Sequence, residues 1–343
     1  MTPSPASPRR RVLVTGGAGF IGSHLTELLL ARGDRVVVID DLSTGRRDNL
    51  PAHPDLEFLH ADLAAALAQR GPALGPLDQV YHLAAAVGVR LVVQDPIRCI
   101  ETNVQQTAAL LAFAVTAGPG GSPAPTLVAS SSEVYGKAQK SPFSEEDDVV
   151  YGPTSKTRWS YACSKAVDEY LALAYHKQHG LPAVVARFFN TVGPRQVGAY
   201  GMVLPSFVER ALRGSALEVY GDGRQTRCFC DVRDVAGALP RLLENPACHG
   251  RVFNLGSDRP ISIGGLAELV VRTLGSRSET VLVPYDRAYE AGFEDLRQRE
   301  PDLTRVRQAI GFAPRIELTR TIHDLATSMP GGRPEPMLSS GGA

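Results

Sequence analysis

Tyr161-Ala162-Cys163-Ser164-Lys165 sets a phenol and an ammonium four positions apart, a spacing that brings both to one face of a helix. A phenol titrates near pH ~10 and is a poor base at neutrality, so a fixed cation beside it is what stabilises its phenolate. Such a pair suits removal of an alcohol proton while hydride leaves the same carbon. Taken alone, the same spacing also describes an ordinary exposed i,i+4 pair. Ser130-Ser131-Ser132-Glu133-Val134-Tyr135-Gly136 follows the apolar run Leu127–Ala129. The carboxyl end of a parallel strand is where open α/β sheets bind ligands. A hydroxyl there could relay a proton to the phenol, or could simply end a strand.

A second cluster lies near the start. Thr15-Gly16-Gly17-Ala18-Gly19-Phe20-Ile21-Gly22 falls between an apolar run and a helical pattern, with Gly16, Gly19 and Gly22 three apart. Glycines at such a junction allow a tight turn, close approach of a pyrophosphate to bare backbone, and tight packing of helix on sheet. The helix N-terminus then offers free N–H groups to the phosphates. Asp40 ends the next apolar run 18 residues after Gly22. A carboxylate there can accept both ribose hydroxyls of NAD and repels the extra phosphate of NADP, a bias that Asp41 reinforces. The alternative is a nucleotide-free relic of the same fold. Asp62, before Leu63, could reach an adenine amino group or cap the following helix.

These groups need elements to hold them. Val12–Val14, Val36–Ile39, Val80–Leu83, Leu127–Ala129 and Ala183–Ala186 read as buried strands. Ile21, Leu25, Leu28 and Leu29, stopped by Gly33, and Ile100, Val104, Ala108, Leu111 and Val115 keep helical stripes between them. The alternation predicts a doubly wound parallel α/β sheet of Rossmann type with helices on both faces. Beyond about residue 190 the segments shorten, with Ser262 placed to cap a helix through Leu274 that Gly275 ends. The division expected is a tail over 1–8, a nucleotide-binding domain over 9–189, a smaller α/β substrate domain over 190–328 with some segments returning to the first, and a tail over 329–343.

Composition narrows the class. The 343 residues carry 36 basic and 36 acidic side chains, 43% hydrophobic residues and 21% charged ones, an ordinary globular balance. Zero net charge argues against a nucleic-acid binder, which needs excess Lys and Arg for phosphates. No apolar run reaches the roughly 18 residues of a membrane span. Arg9–Arg11 precede a short apolar run, but Gly16 and Gly17 interrupt it too early for a signal peptide. Five cysteines without a CxxC pair read as reduced thiols of a cytoplasmic protein, and the eight histidines have no metal-ligand spacing. Cys163, with no His near it in sequence, is expected in the core.

Taken together, TGGAGFIG, Asp40, His82-Leu83-Ala84-Ala85, SSSEVYG, YxxxK and Arg187-Phe188-Phe189-Asn190-Thr191-Val192-Gly193-Pro194-Arg195 resemble the extended short-chain dehydrogenase/reductases. More narrowly, they resemble the NAD-dependent nucleotide-sugar epimerases, dehydratases and decarboxylases, over about residues 10–325. The resemblance implies NAD as cofactor, Tyr161 as base, Lys165 as its partner and ribose ligand, and Ser131 as the third member of the triad. It implies contact of Asn190, Tyr220 and Arg227 with the nucleotide diphosphate or base, a UDP-sugar substrate, and a homodimer packed through the helices around 97–117 and 161–179.

The shared opening step of these enzymes is oxidation at sugar carbon 4. Dehydratases usually read Thr-Asp-Glu where this chain has Ser131-Ser132-Glu133, and loss of the Asp removes the acid for a departing hydroxyl. Simple 4-epimerases usually lack the Glu. A hydroxyl-Ser-Glu triplet resembles the UDP-glucuronate decarboxylases; Lys156–Tyr161 resembles the aminoarabinose and apiose branches, but apiose synthases usually carry Cys where Ser132 stands. Tyr289–Asp295 and Gln298–Leu303 resemble the decarboxylases' late segment, which implies that Arg299 meets the sugar carboxylate; it also reads as a surface Arg at a helix start. In the expected reaction Glu133 discourages the charge of the carboxylate or manages protonation at carbon 5. The product would be UDP-xylose or a UDP-4-keto-pentose. The alternatives are a UDP-hexose or UDP-hexuronate 4-epimerase and a catalytically silent NAD-sensing protein.

Overall fold

The computed structural model describes residues 9–86, 95–198, 202–284 and 298–329. Tyr289–Asp295 and both expected tails lie outside these, apart from Met329. Seven parallel strands form the main sheet: β1 Arg11–Thr15, β2 Arg35–Asp40, β3 Leu56–His60, β4 Gln79–His82, β5 Thr126–Ser131, β6 Ala183–Phe188 and β11 Arg251–Leu255. Their spatial order is β11-β6-β5-β4-β1-β2-β3. Val12, Leu13, Val14, Val36, Val37 and Val38 are buried, as strands covered by helices on both faces must be. The order reverses between β1 and β4, whose last pair is Thr15 with His82. The carboxyl ends of these two strands diverge there, which opens the crevice that the glycine turn faces.

Three helices bear on the crevice. Helix α1 (Phe20–Ala31) starts at Gly19 with no side-chain cap. Helix α3 (Pro96–Ala114) is capped by Asp95, which accepts from Arg98 N at 3.1 Å. Helix α4 (Ser160–His179) ends on the left-handed Gly180. Helix α2 (Leu63–Arg70) lies at the far end of the crevice. The stripe expected on α3 is displaced. Ile100 is exposed, and the buried face carries Cys99, Asn103, Thr107, Leu110, Leu111 and Ala114. The reason is chemical: the first half of that face, with Cys99, Asn103 and Thr107, meets the polar floor of the crevice, and the second, with Leu110, Leu111 and Ala114, packs in the apolar core.

Cys163 is a second correction, because it is exposed. It shares an outward stripe of α4 with Val167 and Tyr170, while Tyr161, Ser164, Lys165, Asp168 and Glu169 turn inward.

The remaining strands, β7 (Thr191–Val192), β8 (Leu217–Tyr220), β9 (Thr226–Cys228), β10 (Cys230–Asp231), β12 (Pro260–Ser262), β13 (Thr280–Val283) and β14 (Gln298–Arg299), form small sheets with helices α5 (Val203–Leu212), α7 (Ile263–Thr273) and α9 (Leu318–Ser328). Leu204, Phe207, Leu217, Leu266, Ile322 and Leu325 share one core there. Ser262 caps α7 by accepting from Gly265 N at 3.0 Å, and Gly275 follows in the left-handed region. Helices α6 (Val232–Leu243) and α8 (Thr304–Ile310) and strand β11 join the first core instead, α6 packing on α1.

A buried charge pair ties α4 to the sheet: Arg187 on β6 donates Nε and Nη2 to the two oxygens of Glu169 at 2.9 and 2.7 Å. The same guanidinium lies over the Tyr135 ring, which stacks on Phe143. Removing one member leaves a buried charge uncompensated. Glu169→Gln is therefore expected to lower stability by about 3–5 kcal/mol in chemical denaturation; a loss below ~1 kcal/mol would show that Arg187 is satisfied without the anion.

Candidate active site

A cavity of about 590 Å³ runs along the crevice. At one end it meets the glycine turn. Gly16 has φ +68°, and a Cβ there would come within 2.6 Å of Ala84 N. A Cβ on Gly22 would collide with the Gly16 carbonyl oxygen. The uncapped first turn of α1, with Phe20 and Ile21, borders the same space. Asp40 closes β2 against this turn, accepting from Ala18 N at 2.9 Å and Leu42 N at 2.8 Å. Burial pushes its carboxyl up, and these N–H groups counter the shift. Each carboxylate oxygen keeps a further lone pair for a ribose hydroxyl.

Asp62 also borders the cavity, and it caps α2, accepting from Ala65 N at 3.0 Å and from Gln106 Nε2. The capping reading of this residue describes its contacts. Leu63 lies beside it, buried. Bare backbone at the turn, uncapped helix N–H groups and an oriented carboxylate together fit the diphosphate and ribose of a dinucleotide.

At the other end the cavity is lined by Ser131, Ser132, Glu133, Arg158, Tyr161, Lys165 and Arg299. The strand end positions the first three: Ser131 caps a 3₁₀ turn over Ser132–Tyr135, accepting from Glu133 N at 3.2 Å. Ser131 hydrogen-bonds the Tyr161 phenol. Burial holds that phenol's pKa above the ordinary value, the Glu133 anion adds to this, and the Ser131 hydroxyl opposes it. Ser130 donates to Glu169 at 2.5 Å and so supports α4.

Arg299 arrives on β14, whose residues pair with Thr226 and Arg227 of β9, while Phe143 N donates to Glu300 O at 2.8 Å. Its Nη1 donates to Glu133 Oε1 at 2.5 Å, and Arg158 Nη1 lies 2.6 Å from Glu133 Oε2. Burial penalises the Glu133 anion, but the two guanidinium groups outweigh it and bring its pKa down to about 2. Glu133 therefore holds no proton at neutral pH while both arginines stay in place. The expected role in protonating carbon 5 needs a proton that this arrangement does not supply. The buried Arg299 Nε–H has no hydrogen-bond partner among the described residues, so a donor remains for a ligand.

Asn190 also lines the cavity, with its Nδ2 donating to Cys228 O at 3.2 Å. Tyr220 and Arg227 are not among the lining residues; Arg227 stands one strand pairing behind Arg299. Sequence reasoning missed Arg158, though an Arg three residues before Tyr161 on the approach to α4 was the available signal.

The comparisons agree with this geometry. Residues 12–256 match the model of the NAD dependent epimerase/dehydratase family. The chain belongs to the NAD-dependent epimerase/dehydratase family. It is 39% identical over 316 residues to a UDP-N-acetyl-alpha-D-glucosaminuronate decarboxylase from Bacillus cytotoxicus, covering 90% of this chain and 94% of that protein. It is 36% identical over 311 residues to UDP-glucuronic acid decarboxylase 4 of Arabidopsis thaliana, covering 90% of this chain and 66% of the plant protein. A UDP-glucose 4-epimerase of Thermus thermophilus, solved as a complex with NAD, superposes with a TM-score of 0.78 at 31% identity, covering 93% of this chain and 98% of that one. NAD is the cofactor of this family member.

Asp40→Ala removes the acceptor that the turn orients. NAD affinity, followed by fluorescence titration, should fall about tenfold or more, and preference over NADP should narrow, for a lost charge-assisted hydrogen bond of about 1.5–3 kcal/mol. Unchanged preference would remove Asp40 from nucleotide selection.

Proposed function

We propose that this chain decarboxylates a UDP-linked hexuronate, UDP-glucuronate in the first place, by transient oxidation at sugar carbon 4. The observation that carries the reading is the Arg299–Glu133–Arg158 cluster set beside the Tyr161–Ser131 pair in one cavity. Bound NAD supplies a reversible acceptor for the hydride of carbon 4. Tyr161 takes the proton of the carbon 4 hydroxyl, with Ser131 hydrogen-bonded to the same phenol oxygen. The sugar is then a β-keto acid, whose bond from carbon 5 to the carboxylate breaks with the electron pair moving onto the carbon 4 carbonyl. Carbon dioxide leaves, carbon 5 takes a proton from water, and as hydride returns to carbon 4 Tyr161 gives its proton back to the carbon 4 oxygen, which yields UDP-xylose. Release before that return gives the 4-keto pentose.

Arg299 orients the carboxylate, and Glu133 does two things as an anion. It fixes both guanidinium groups, and it repels the substrate's own carboxylate, a repulsion relieved as neutral carbon dioxide forms. The 2-acetamido hexuronate is the second substrate to consider, because one relative at 39% identity is named for it. The 4-epimerase reading fits less well, since an exchange at carbon 4 alone has no use for two arginines around a carboxylate.

Ile97 and Tyr170 are each 69% exposed, and Ile100 and Val167 share their helices. This apolar face on α3 and α4 supports a homodimer built on a four-helix contact. No helix among the described residues is long and apolar enough to cross a membrane. Four of the five cysteines are buried and none is bonded to another, which supports a reducing, cytoplasmic setting.

Incubation with UDP-glucuronate should give a product lighter by one carbon dioxide in the mass spectrum; a product of unchanged mass would favour epimerisation. Glu133→Gln should keep NAD affinity but lower carbon dioxide release by about 100-fold, and unchanged turnover would refute its part in the reaction. Tyr170→Arg should shift the sedimenting species to the monomer if α4 is the contact; an unchanged species would place the contact elsewhere.

A further inference from the structure

Lys165 and Asp168 lie on one face of α4, and the Lys165 ammonium donates to Asp168 Oδ2 at 2.9 Å. Both side chains are sealed, at 2% and 0% exposure. Among the described residues Asp168 is the only hydrogen-bond partner of that ammonium. The dependence is mutual. Asp168 Oδ1 is buried with no well-aligned donor, and what favours the carboxylate is Lys165 first and the Thr107 hydroxyl after it. A buried carboxylate in that position competes strongly for the cation.

We propose that Asp168 is a positioning residue: its ion pair with Lys165 withholds the ammonium from the Tyr161 hydroxyl. The inference rests on the reading of Tyr161 as the base, one helical turn before Lys165. A cation neutralised by its own buried counter-ion does little to stabilise a phenolate nearby.

The other groups facing this pair do not replace it. From the 3₁₀ turn after β5 the Glu133 anion acts on Tyr161 in the unfavourable direction, as do Cys99 from α3 and, directly, Asp168 itself. From β4, His82 sits between the hydroxyls of Thr15 at 2.8 Å and Thr107 at 3.0 Å. Burial and the Lys165 charge bring its pKa to about 3, so it is neutral and adds no charge. Thr107 of α3 faces the Asp168 carboxylate, and Glu169 is already held by Arg187. Among the described residues Lys165 is the cation that shares the inward face of α4 with Tyr161, and Asp168 decides how much of its charge the phenol receives.

The test is a titration of nucleotide-free full-length protein by ultraviolet phenolate absorbance, with the matching Tyr161→Phe protein subtracted so that only residue 161 is read. Asp168→Asn keeps the size and a polar partner but removes the anion. It is expected to lower the Tyr161 midpoint by about one pH unit, or tenfold more phenolate at a given pH below it. Lys165→Met alone is expected to move the midpoint by less than about half a unit, but to raise it by more than about one unit in the Asp168→Asn background.

A midpoint unmoved or raised in Asp168→Asn overturns the proposal. So does a rise of a full unit with Lys165→Met alone, which decides the matter even if Asp168→Asn does not fold. These readouts need no turnover. Full activity in Tyr161→Phe would instead sink the assignment of the base, whatever the titration shows.

Discussion

Ionisable groups taken out of water need a partner, and the floor of this crevice is built around that requirement. One helix turns a phenol, an ammonium and two carboxylates inward. The buried carboxylate of Glu169 is answered by Arg187 from the neighbouring strand, and Asp168 by Lys165 from its own helix. Glu133, from the end of β5, is answered by Arg299 from a short strand far along the chain. Each pair costs desolvation and returns it only when geometry is good. The result is a site whose charges are fixed in place by the same contacts that hold helix, sheet and second lobe together.

That arrangement gives the two ends of the cavity different characters. At the nucleotide end the chain contributes mainly backbone: a glycine turn, uncapped helix N–H groups and one carboxylate oriented by two N–H groups. At the sugar end it contributes side-chain charge. The two guanidinium groups facing one carboxylate leave a local excess of positive charge, suited to an anionic sugar. A neutral hexose would gain little from it.

Local chemistry was legible in the sequence wherever one segment carried the whole motif. The glycine spacing, Asp40, the Ser-Ser-Glu end of β5 and the Tyr–Lys pair each lie within one element, and the structure gathers them along one cavity. Contacts between distant segments were not legible. Nothing in the spacing placed Arg158 or Arg299 on Glu133. Periodicity misread the buried face of α3, because it treats buried as apolar: that face carries Asn103 and Thr107. Cys163, expected in the core from its residue type, points outward on α4 instead. Tyr220 and Arg227, expected at the nucleotide, lie on β8 and β9 and are not among the described residues that line the cavity.

The central claim is that hydride leaves carbon 4 before the bond to the carboxylate breaks. Single-turnover reaction of the NAD-loaded protein with UDP-glucuronate deuterated at carbon 4 tests it most directly. Deuterium should slow both the rise of nicotinamide absorbance and the release of carbon dioxide, with the absorbance rising first. Carbon dioxide released at the same rate from labelled and unlabelled sugar, with no absorbance change, would contradict it.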